Sequence, residues 1–104
     1  MKAGMGWFRC AISGENFPGV LLNKSRAVGF YTTRFVEADT VDEAGKKALQ
    51  MLRADALLKL PEGVSYPLAA MVYLEEIEQV PRNAVPREVP GFAFFDMKPS
   101  PGPA

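Results

Sequence analysis

The chain has 104 residues, 48% hydrophobic and 11% aromatic, which suits one folded domain with a single core and argues against a disordered segment. Twelve basic residues balance twelve acidic ones, so no net field recruits a polyanion or an anionic membrane, and nonspecific duplex binding is expected to be weak. Histidine is absent and Cys10 is the lone cysteine, which excludes an intrachain disulfide, a Ser-His or Cys-His nucleophile pair and a cysteine-rich zinc site.

Residues 5 to 13, MGWFRCAIS, alternate Phe8, Cys10 and Ile12 with Trp7, Arg9, Ala11 and Ser13, the period of a first strand with one apolar and one mixed face. Arg9 interrupts this apolar run well short of a signal-peptide core, and no later stretch approaches a membrane span, so a cytoplasmic protein is the default expectation. GENFPG, residues 14 to 19, has turn chemistry. Residues 20 to 29 read either as a loop or as a short hairpin arm turning at Asn23 to Ser25. FYTTRFVEA, residues 30 to 38, is rich in β-branched and aromatic residues and predicts the second strand.

The following TVDE is a capping box: the Thr40 hydroxyl can accept from the N–H of Glu43, whose carboxylate can reach back to the N–H of Thr40. From Val41 onward Val41, Ala44, Ala48, Leu49, Met51 and Leu52 form one apolar stripe, opposite Asp42, Glu43, Lys46, Lys47, Gln50 and Arg53. Each acidic residue of this segment has a structural reason to be there, so the segment reads as scaffold. A turn is expected at Leu60 to Gly63 with Pro61 in its second position, and residues 69 to 80 predict the third strand. Alternation breaks at Glu75-Glu76, where a β-bulge would return Ile77 to the face of Val72 and Leu74 and suit a sheet edge. Three prolines make residues 81 to 90 an extended connector, residues 91 to 95 form a short last strand, and residues 98 to 104 read as a flexible Pro/Gly-rich tail to a domain of residues 1 to 97.

PGFAFFDM, residues 90 to 97, and VYLEEI, residues 72 to 77, resemble the long and short signatures of the RNA-recognition motif, in which exposed strand aromatics stack on bases. The context fails: Pro90 stands where a basic residue belongs, and about fifteen residues with three prolines separate the pair where that family has a helix and a strand. Core packing is the better reading of these aromatics. Glu76 and Glu78 can project side by side as metal ligands or an acid–base pair, but no companion ligand is identifiable, and carboxylates near a strand end commonly face water. Cys10, inside an apolar alternation, reads as a small buried hydrophobe.

NFPG, residues 29 to 55, YLEEIEQVP and PGFAFF together resemble small bacterial α+β proteins of the kind carried on integron gene cassettes, a resemblance over residues 8 to 95 that implies no activity or cofactor. The strand-to-helix segment is also similar to HicB-like antitoxins, whose strands precede a helix starting after T-x-x-E-A.

These elements predict one α+β domain ordered β-β-α-β-β, with a mostly antiparallel sheet of about four strands and one principal helix on one face, roughly half of a ferredoxin-like arrangement. The helical crossover can leave strand one between strands two and three. Both parities of the strands carry apolar residues, so the face away from the helix is expected to need cover, which a twofold homodimer provides. Trp7, Arg9, Thr32, Arg34 and Tyr73 are the candidate ligand or interface residues, the two arginines being placed to rim that face and bind a carboxylate-bearing ligand or peptide. The simpler alternative is that both arginines pair with carboxylates of this chain. The functional expectation is a non-catalytic homo-oligomeric binding or accessory module with no cofactor and no metal. A toxin–antitoxin-like or nucleic-acid-associated partner and a small carboxylate- or arginine-dependent enzyme are the alternatives.

Overall fold

The computed structural model describes residues 5–55 and 58–97. Four strands, β1 (Gly6–Phe17), β2 (Val28–Ala38), β3 (Met71–Val80) and β4 (Phe92–Asp96), form one sheet in the order β3-β1-β2-β4, and a single α-helix, α1 (Val41–Arg53), joins β2 to β3. All three strand pairs are antiparallel. β2 and β3 therefore run parallel to each other with β1 between them, which is the crossover expected of a strand–helix–strand unit. The order β-β-α-β-β and the one-helix α+β architecture are those read from the sequence. The tail at residues 98 to 104 lies outside the described residues.

The helix cap forms as the sequence requires, with a small change. The N–H of Glu43 donates to Thr40 Oγ1 at 3.1 Å, while the Glu43 carboxylate accepts from the N–H of Asp39, at 3.4 Å, instead of from Thr40 itself. The buried stripe is Ala44, Gly45, Ala48 and Leu52, narrower than predicted, with Val41 and Met51 exposed. Gly45 belongs to it because Leu74 and Ile77 of β3 come so close that a Cβ there would meet their Cδ1 atoms at 3.1 and 3.3 Å. The predicted bulge is present: Ala11 pairs with Glu76 and Ile12 with Leu74, so Glu75 is the extra residue and Val72, Leu74 and Ile77 share the helix side. β3 is also an edge strand.

Two expected turns lie elsewhere, and the stretch left open between the first two strands resolves as a short loop. β1 continues through the supposed turn to Phe17, which pairs with Val28 and sits in the core with its ring 4.9 Å from that of Phe30. Gly14 and Asn16 serve a bulged strand end here, Asn16 taking the left-handed conformation at φ 58. Between β1 and β2 the chain makes a short 3-10 turn, Gly19–Leu22, closed by Asn23, also left-handed. The later turn starts at Pro61, one residue beyond the expected position, because Gly63 at φ +83 supplies the positive angle its third position needs.

The core lies between α1 and the sheet. Its aromatic centre is Phe30, ringed by Phe17, Phe92 and Phe94, with centroid separations of 4.9 to 6.1 Å. Phe92 and Phe94, the aromatics of the RNA-recognition-like stretch, are thus packing residues on the helix side of β4. Cys10 is fully buried; burial pushes its thiol pKa up against a smaller opposing effect of the Arg9 charge, and Sγ lies 3.8 Å from the Ala44 carbonyl oxygen. No described helix is long and apolar enough to cross a membrane.

Candidate functional site: the open sheet face

Cross-strand register divides the five candidate residues between two faces. Trp7, Arg9 and Tyr73 point away from the helix, while Thr32 and Arg34 share the helix side with Phe30 and Val36. The expectation that Arg9 and Arg34 rim one face therefore meets a sheet in which they face opposite ways. The parity of β2 decides this: Cys10 pairs with Arg34, and Cys10 is core.

Arg34 is 1% exposed, the largest fully buried side chain described. A buried guanidinium is tolerable only with its donors satisfied. Nη1 donates to Thr32 Oγ1 at 2.6 Å, to the Thr33 carbonyl at 2.8 Å and to the Pro90 carbonyl at 3.1 Å; Nη2 donates to Asp55 Oδ2 at 2.9 Å. The Phe92 ring lies beneath it, 5.1 Å from the guanidinium carbon. Thr32 Oγ1 in turn donates to the Gly91 carbonyl at 2.8 Å. Thr32 and Arg34 thus form one network that ties β2 to the end of α1 and to the point where the connector becomes β4.

Arg9 sits on the open face, where Nε donates to Glu78 at 2.9 Å and Nη2 donates to Glu76. These bonds, that to Glu78 foremost, raise its pKa further. The two carboxylates singled out as a possible acid–base pair are therefore both turned onto one guanidinium. Both arginine forks are occupied within the chain, so a carboxylate-bearing ligand would have to displace a partner to use either.

The open face has two ends. At one, Trp7 stands between Glu37 and Val80, and the connector of residues 81 to 91 passes over it on the way from β3 at one sheet edge to β4 at the other. The Arg82 guanidinium lies 5.8 Å from the Trp7 ring. This chain thus covers by itself part of the face that the sequence leaves needing cover. At the other end the cross-strand rows Tyr73–Ser13–Tyr31–Ala93 and Met71–Glu15 carry large side chains into solvent, with Phe95 laid over Gly29. Tyr31 is 59% exposed, and its ring is 5.1 Å from that of Phe95.

Between the two ends, where Ala11 pairs with Thr33, the short side chains leave a trough of about 760 Å³ bounded by Tyr31, Glu75, Pro90 and Gly91. The Ser13 hydroxyl donates to Glu75 Oε2 at 2.5 Å. Sequence reasoning did not single out Glu75, Tyr31 or Phe95 as a group; the signal for Glu75 was the broken alternation, which placed a bulge but not its neighbours. Among the described residues no three His, Cys, Asp or Glu side chains gather as a metal site requires.

No protein-family model matches this chain, and neither a curated protein nor a solved structure is similar enough to it to indicate kinship.

Proposed function

We propose that this protein is a non-catalytic binding or accessory module that works as a homodimer, two copies meeting through the aromatic end of the open sheet face. The observation that carries the reading is the exposed group of Tyr31, Phe95, Tyr73 and Met71 on the face that neither the helix nor the connector covers. A patch of that composition is unusual on a soluble monomer, and a twofold axis buries it against its own copy without any new surface being required. The paired state of both arginines supports a surface built for contact in preference to arginine-dependent chemistry.

Light scattering at high micromolar concentration tests the reading. A wild-type mass of two chains, falling to one chain in a Tyr73→Glu variant with unchanged far-UV circular dichroism, supports it. A monodisperse wild-type monomer overturns it, and a second, different chain or nucleic acid copurifying on this face would replace it with a toxin-partner or nucleic-acid role.

A further inference from the structure

We infer that the trough on the open face is a binding site for an organic cation, an ammonium or guanidinium group carried on an apolar body about the size of one aromatic ring. The inference rests on the reading of this face as a binding surface and adds the ligand class to it.

Three observations converge. The trough has the volume of a small-ligand site, about 760 Å³, and its floor at the Ala11–Thr33 pair has no side chain long enough to fill it. Along the strands the flanking rows, Arg9–Phe35 on one side and Ser13–Tyr31 on the other, stand about 13 Å apart, room for a flat ring lying on the sheet.

The second observation is charge. β3 places Glu75, Glu76 and Glu78 on the open face, where the one guanidinium of Arg9 is taken by Glu76 and Glu78. Glu75 has a hydroxyl partner, Ser13, and no cationic one among the described residues. An ionised carboxylate is an acceptor with two oxygens, so Oε1 can still receive a donor while Ser13 holds the other oxygen in place. Glu75 follows Tyr73 onto this face by alternation, and the bulge brings Glu76 and Glu78 to the same face while Ile77 returns to the helix side.

The third is the ring of Tyr31, which walls the trough where it borders the dimer contact and offers a negative π face there. A carboxylate and an aromatic ring around an apolar floor select a cation on an apolar body. They repel the carboxylate-bearing ligand that the arginines suggest from sequence, since both forks are occupied.

The test uses tyramine and 3-(4-hydroxyphenyl)propionate, which share a body and carry opposite charges, added to the nitrogen-15-labelled full chain. Tyramine is expected to shift the amide signals of Ala11, Thr33, Gly91 and Ala93 saturably, with the propionate giving no such response. Glu75→Gln is expected to weaken tyramine about tenfold or more, Glu62→Gln in the distant turn to leave it unchanged, and Ala11→Leu, by filling the floor, to abolish it in a folded protein. Absence of saturable shifts, equal response to both probes, or full tyramine affinity in Glu75→Gln overturns the inference. Light scattering on Glu75→Gln separates this from the assembly reading: a dimeric variant that has lost tyramine binding supports the site, and a dimeric wild type indifferent to tyramine defeats the site while leaving the dimer standing.

Discussion

Arg9 and Arg34 occupy neighbouring strands a single register step apart, yet one guanidinium is partly exposed on the open face and the other is sealed on the helix side. Arg9 pairs with two exposed carboxylates of an edge strand. Arg34 has partners on β2, after α1 and in the connector. The same side chain is decoration in one place and a joint in the other, because desolvation makes every unmet donor expensive only where water is excluded. The difference extends to the faces themselves: the helix side is a closed core fixed by a polar network, and the open side is a surface whose large side chains have no such tie.

The comparison is sharpest where an arginine is removed. Arg34→Ala takes away the joint and leaves the Thr33 and Pro90 carbonyls and Asp55 without this donor, so a loss of about 3 to 5 kcal/mol is expected, read as a lower urea midpoint. A variant as stable as wild type would show that the network is dispensable. Overpacking the same side comes next. A Cβ at Gly14 would meet the fully buried Phe30 ring at 2.1 Å, and Gly14→Ala is expected to cost about 1 to 3 kcal/mol with altered near-ultraviolet dichroism.

Smaller still is the helix cap. Thr40→Ala removes the acceptor for the Glu43 N–H and should cost about 1 kcal/mol, visible as a modest drop in melting temperature without change in assembly. The smallest effect belongs to Arg9→Ala, whose urea midpoint should coincide with that of the wild type, since exposed ion pairs contribute little and are screened by salt. A drop comparable to that of Arg34→Ala would erase the distinction between the two faces.

Features encoded within a few residues were legible in the sequence. Thr40 and Glu43 announce the cap three residues apart, and the break at Glu75-Glu76 announces the bulge. Turn chemistry at residues 14 to 19 misled because Gly14 and Asn16 suit a bulged strand as well as a turn, and only the burial of Phe17 against Phe30 chooses between them. The division of the arginines was not legible. β2 carries aromatic and polar residues at both parities, so hydrophobicity alone does not say which face meets the helix, and Arg34 finds its partners at Asp55 and Pro90, 21 and 56 residues away. The passage of the connector over Trp7 was hidden for the same reason: it depends on β3 and β4 lying at opposite edges, a strand order the sequence leaves open.

The central claim is that the helix face is buried within one chain while the aromatic end of the open face is buried only between two. Ring-proton relaxation by a soluble gadolinium chelate, followed from millimolar to low micromolar protein, tests it directly. Phe30, Phe92 and Phe94 should stay protected throughout, while Tyr31, Tyr73 and Phe95 should be protected in concentrated solution and broaden together on dilution. Broadening of Tyr31, Tyr73 and Phe95 to the same extent at every concentration would contradict the account.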